Sequence, residues 1–194
     1  MRYLTADEAR RLVDACNEDF RRLVQAALLT GCRYSELTRL RVSAFNPDSG
    51  TLAIRVSKGK VRHVTLTNEG MRCFATWTMG RLPHEHVFLR DDGDVWRPSH
   101  QQRPLQGAGK TAAIAAPVTF HVLRHTHASH LAMRGVPMAV IAKQLGHADT
   151  RMTEKHYAHL APNYVADTIR ASFPNLGISE TLKVVPLRVA GKTG

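Results

Sequence analysis

One solitary stretch of alternating apolar and polar residues, set in a chain otherwise punctuated for helices, does most to limit the possible folds. After the turn-forming run Asn46-Pro47-Asp48-Ser49-Gly50, the residues Leu52, Ile54 and Val56 alternate with Ala53, Arg55 and Ser57. A period of two turns one face of a strand toward a core. Lys58-Gly59-Lys60 then reverses the chain, and Val64 and Leu66 suit an antiparallel return strand. On either side the signals are helical. Thr5 and Glu8 have capping-box spacing, which predicts a helix over about residues 6–17. Apolar residues at helical intervals over 20–30 end at Gly31, suited to a left-handed closing position, and a third helix begins near residue 33 or 34. Further helices are expected over about 68–79, 120–134 (closed by Gly135), 137–145 (opened by Pro137, closed by Gly146), 150–160 and 162–173. Pro83, Gly93, Pro98, Pro104, Gly107 and Gly109 predict loop and one interrupted helix in 80–117. The expected fold class is therefore mainly α (α+β), a helical domain over 1–173 carrying a small antiparallel sheet. Residues 174–194 form a tail, in which Leu182-Lys183-Val184-Val185-Pro186-Leu187 fits an edge strand too short for its own core.

Charge narrows the partners. Lys and Arg number 27 against 16 Asp and Glu, a formal net charge of +11. A surplus of this size favours a polyanion, and nucleic acid is the leading candidate because neutralised phosphates release counterions. An anionic membrane is the rival, but no run approaches 18 apolar residues and the amino terminus lacks the apolar centre of a secretory signal. The chain reads as cytoplasmic, with no membrane partner. Cys16, Cys32 and Cys73 are odd in number and lack CxxC spacing, so reduced, partly buried thiols are expected, with neither a disulfide framework nor a zinc knuckle.

Four separated stretches carry the candidate chemistry: TGCRYSEL at 30–37, SKGKVRH at 57–63, HVLRH at 121–125, and LGH at 145–147 followed by MTEKHYAHL at 152–160. His121, Arg124 and His125 stand at i, i+3 and i+4, so one helix projects all three from the same face. Such clustering is costly unless an anion sits there. The plain alternative is a solvated polar face. A metal site built from His125, His127 and His130 is countered by the interleaved Arg124 and by the lack of a nearby carboxylate or cysteine.

In this order and spacing the stretches resemble the catalytic domain of the tyrosine recombinases, or phage integrases, over about residues 4–173. The resemblance implies DNA strand cleavage by a tyrosine, with a 3′-phosphotyrosyl bond and a free 5′-hydroxyl, followed by rejoining. It implies neither a metal nor another cofactor, and it implies double-stranded DNA as partner, with self-association on it at the bacterial nucleoid. Carried over by position, Arg33 and Arg124 are the paired arginines, Lys58 the hairpin lysine, His121 and His147 the two histidines and Tyr157 the nucleophile; Glu36 and His125 support them. The amino-terminal DNA-clamping domain of such proteins is not among these residues, which predicts an isolated catalytic domain. The tail matches in place the segment that contacts a neighbouring protomer, either exchanged or docked on its own domain.

The chemistry makes the same demands. A phosphodiester attacked in line gains negative charge on its non-bridging oxygens, which two guanidinium forks hold bidentately. A phenol of ordinary pKa near 10 needs a base, a role for His121, while Lys58 protonates the departing 5′-oxygen and His147 hydrogen-bonds a phosphate oxygen. Arg55, Lys60 and Arg62 would position the DNA backbone. Two alternatives stay open: Tyr164, seven residues beyond Tyr157, and Lys60 on the same turn as Lys58. The interval from His147 to Tyr157 is ten residues, where the family more often has nine. Rival functions are a type IB topoisomerase on the same scaffold and a catalytically silent DNA-binding regulator.

Overall fold

A computed structural model of the chain describes residues 2–55, 60–160, 169–174 and 176. The chain divides into two compact units, Met1–Pro162 and Asn163–Gly194; of the second, a short helical segment at 169–172 is described. The first unit contains α1 (Ala6–Asp14), α2 (Glu18–Thr30) and α3 (Tyr34–Leu37), then β1 (Phe45–Asn46), β2 (Thr51–Arg55) and β3 (Val61–Thr65). There follow α4 (Asn68–Thr78), α5 (Gln102–Thr111), α6 (Phe120–Met133), α7 (Met138–Leu145) and α8 (Arg151–Tyr157). The sheet is antiparallel in the order β1-β2-β3, with Leu52 opposite Val64 and Ile54 opposite Arg62. The fold class is the mainly helical one with a small sheet; β1, two residues long, is an addition to the expected pair.

Local chemistry explains the boundaries. Thr5 Oγ1 accepts the Glu8 N–H at 3.1 Å while the Glu8 carboxylate accepts the Thr5 N–H at 2.9 Å, satisfying two orphan donors at the start of α1. Thr67 caps α4 and Thr119 caps α6 in the simpler one-way fashion. Within the 80–117 stretch, Arg81 ties the chain back on itself. Arg81 pairs with Glu85 at 2.9 Å and donates to the Val87 carbonyl at 2.9 Å. The interrupted helix is a 3₁₀ turn, Pro98–Gln101, running into α5.

The core has two parts. In the larger, α2 packs against α6, Phe20 meets Trp96 and Phe120 at ring separations of 5.3 and 5.9 Å, and Leu52, Ile54 and Val64 close the underside of the sheet. The smaller joins Ala128 and Ala132 of α6 to Ile141 and Leu145 of α7 and Tyr157 of α8. The first half of α6 therefore belongs to one core and the second half to the other, with Arg124 and His125 at the join. Cys16 and Cys32 are buried free thiols, and Cys73 is a partly exposed one. Lys58 and the hairpin tip, Tyr164, most of the expected 162–173 helix and the 182–187 segment lie outside the described residues.

Candidate active site

Arg124 is 5% exposed, an unusual place for a guanidinium. Its Nη1 donates to the Gly31 carbonyl at 2.7 Å and its Nη2 to the Leu145 carbonyl at 2.8 Å. Both acceptors are the ends of helices, α2 and α7, and each helix stops because a glycine turns left-handed, Gly31 at φ +66° and Gly146 at φ +71°. Carbonyls at helix C-termini carry the negative end of the macrodipole, so they are apt partners for a buried cation. Burial, followed by the nearby charges of Arg33 and Arg62, pulls the Arg124 pKa down to about 10, which leaves it charged at neutral pH. The bonds to the two carbonyls use two of the five guanidinium N–H groups.

Tyr157 is 2% exposed and its hydroxyl meets His125 Nδ1. The other ring nitrogen of His125, Nε2, lies 2.7 Å from His121 Nε2. Burial pushes the phenol up to about 12, and burial together with the charges of His121, His156 and Arg124 brings His125 down to about 4. At neutral pH the imidazole of His125 is uncharged. With its proton on Nε2, His125 accepts from Tyr157 and donates to His121, so a continuous path joins a buried phenol to an exposed histidine. His121, expected from the sequence as the base, is thus one step removed from the hydroxyl, and His125 is in contact with it.

His147 follows the left-handed Gly146. Its Nδ1 lies 2.8 Å from Oγ1 of Thr153, a wholly buried residue of α8. Burial, then the charges of Arg124 and Arg33, depress its pKa. With Nδ1 engaged, Nε2 is the nitrogen left for a phosphate oxygen. Thr153 was not among the sequence candidates.

At the start of α3, the side chain of Arg33 is 50% exposed and pairs with Glu36 through Nη1 at 3.0 Å, while its backbone N–H donates to Glu36 Oε2 at 2.7 Å. The same Oε2 accepts from Arg62 Nη2 at 2.7 Å. Burial works to raise the Glu36 carboxyl, but the Arg33 backbone bond and the Arg62 charge outweigh it and hold the carboxyl below its ordinary value. Arg62 corrects an expectation. Predicted as a phosphate contact beside Arg55 and Lys60, its side chain is 11% exposed and committed inward to Glu36 and, at 3.3 Å, the Gln144 carbonyl. Arg55 and Lys60 are exposed. Gln144, also unforeseen, clamps α7 to the sheet: its side-chain amide accepts from the Thr65 N–H and donates to the Thr65 carbonyl.

The remaining α6 histidines diverge. His127 donates to the Leu28 carbonyl and His130 to the Leu4 carbonyl, each at 2.9 Å. Among the described residues no group of three or more His, Cys, Asp or Glu is placed to hold a metal ion, and no helix is long and apolar enough to cross a membrane.

Comparison with known proteins shows what the chain is similar to. The family model described as "Phage integrase family" matches residues 2–163. The integrase of Salmonella phage P22 is 29% identical over 202 residues, covering 93% of this chain and 51% of the phage protein. Tyrosine recombinase XerA of Pyrococcus furiosus is 31% identical, covering 79% and 58% respectively. The chain thus spans about half the length of the curated relatives it matches. Among solved structures, the catalytic domain of bacteriophage HP1 integrase superposes with a TM-score of 0.68 at 28% identity, covering 93% of this chain and 99% of that one.

Proposed function

The chain belongs to the phage integrase family, and on that footing we propose that it is a site-specific DNA recombinase acting through a covalent 3′-phosphotyrosyl intermediate on double-stranded DNA. The observation that carries this reading is a meeting of distant residues: the Tyr157 hydroxyl rests on His125, next in sequence to an Arg124 held between two helix ends.

In the proposed reaction Tyr157 Oη attacks the scissile phosphorus. Its proton passes to His125 Nδ1, and the Nε2 proton of His125 passes to His121 Nε2, so the developing phenolate never has to persist in an apolar pocket. Arg124 and Arg33 hold the non-bridging oxygens as their charge grows, and His147 Nε2 donates a further hydrogen bond. The bond from phosphorus to the 5′-oxygen breaks, and that oxygen takes a proton from Lys58. The phosphotyrosyl ester keeps the energy of the broken ester, and attack by the 5′-hydroxyl of a partner strand releases the tyrosine. The reading entails self-association on DNA, because exchange joins two cut sites, and action at the nucleoid, where bacterial DNA lies. Tyr157 is 2% exposed, so attack requires its hydroxyl to become accessible to a bound phosphate.

Covalent capture on a nicked suicide duplex tests the reading. A pool of duplexes with a randomised core lets the chain select its own site, and adducts are counted on a denaturing gel. Tyr157→Phe should abolish the adduct while leaving DNA binding intact. Undiminished capture by that variant would remove Tyr157 as nucleophile.

A further inference from the structure

Arg62 is a cation that the proposed reaction does not use, yet it lies at the crossing of three of its parts. One Nη donates to Glu36, which also holds Arg33; the other donates to the carbonyl of Gln144, three residues before His147. Its Nε is buried without a hydrogen-bond partner. A Cβ on Gly146 would fall 2.5 Å from Arg62 Cδ and 2.6 Å from Nε, so the chain backbone presses directly on this side chain.

The charges explain why it is there. Glu36 is needed locally, since its carboxylate receives the Arg33 N–H and orients the Arg33 fork. A buried carboxylate with Arg33 as its only partner would cancel the charge that Arg33 brings to a phosphate. Arg62 supplies a second cation to the same carboxylate, and the trio Arg33, Glu36 and Arg62 keeps a net positive charge. Resting on the strand-cleavage reading above, we infer that Arg62 is a positioning residue: by offsetting Glu36 it keeps the Arg33 cation available to the scissile phosphate. It acts from within the protein and does not touch DNA.

The test compares capture rates on the suicide duplex with an ordinary scissile phosphate and with a methylphosphonate, in which a methyl group replaces one non-bridging oxygen and its charge. Arg62→Ala should slow capture by on the order of 100-fold on phosphate, the scale of losing one charge-stabilising donor. Adding Glu36→Gln removes the carboxylate that Arg62 offsets, and should restore roughly tenfold or more of that loss. On methylphosphonate, where the transition state carries one charge fewer, the deficit of Arg62→Ala should shrink to less than about tenfold, a small part of the full electrostatic effect. Arg62→Lys keeps the charge without the fork and should stay within about tenfold of the unaltered chain. Circular dichroism on each variant reports folding. A purely structural Arg62 would give a different pattern: Arg62→Lys as slow as Arg62→Ala, no rescue by Glu36→Gln, and an equal deficit on both substrates. That pattern, or an Arg62→Ala that captures normally, overturns the inference alone. Failure of the unaltered chain to form any adduct overturns the strand-cleavage reading and this inference with it.

Discussion

His125 shows how a neighbour's chemistry is set by burial. Its imidazole lies beneath the surface with its pKa brought down to about 4 by burial and by His121, His156 and Arg124, so it stays a neutral acceptor for the Tyr157 proton through the physiological range. His125→Ala should therefore lower the capture rate by roughly 100- to 10,000-fold, the span of a positioned general base, and by more than His121→Ala, whose ring is one bond further along the relay. The pH profile gives a second check. Normalised to folded protein, capture should fall on acidification from pH 7.5 to 4, because each imidazole of the relay must be unprotonated to take the proton on; a rate indifferent to pH across that range would show that His125 is not the acceptor. Glu36 and His125 were legible from HVLRH and TGCRYSEL only as supporting residues. Their contacts run between residues that adjoin in space, and nothing in the spacing told which histidine of the pair met the hydroxyl.

At the level of elements, helix endings build the site. Gly31 and Gly146 were both readable as left-handed stops, because only glycine adopts that backbone without a Cβ penalty. Their shared purpose, two carbonyls aimed at one guanidinium, was not. Gly146→Ala combines a positive φ with a Cβ driven against Arg62, and should cost about 2–5 kcal/mol in urea unfolding, the sum of backbone strain and overpacking. Thr5→Ala, which removes one half of the α1 capping box, should cost only about 1 kcal/mol. The inward turn of Arg62 was also within reach of the sequence. Arg62 shares strand parity with Val64 and Leu66, so the alternation that predicted a return strand already assigned it to the buried face, opposite Ile54. β1 is too short, at two residues, to leave a periodic signal.

For the molecule as a whole, two bulk properties follow. His125 and His127 are both held near 4, and His147 is lowered as well, each chiefly by burial. Between about pH 6.5 and 4 the unfolded chain therefore binds protons that the folded chain refuses, so stability is present above 6.5 and is lost as pH falls through that window. The thermal midpoint should drop on acidification from pH 7.5 to 4.5, by about 2–4 °C for each kcal/mol lost; a constant midpoint would contradict the burial of these rings. Duplex affinity should fall with salt, and Arg55→Ala and Lys60→Ala should each reduce the log–log slope by about 0.9, one phosphate contact apiece. Arg62→Ala should leave that slope unchanged, because its cation faces Glu36. Taken by itself, the sequence determined the fold class, most helix boundaries and the basic surplus, since capping, periodicity and net charge are local or additive. Tertiary structure alone decided which histidine holds the phenol and why a buried arginine is tolerated. Those outcomes depend on burial and on partners tens of residues away, and a side chain's protonation and hydrogen bonds exist only once the fold has removed water from around it.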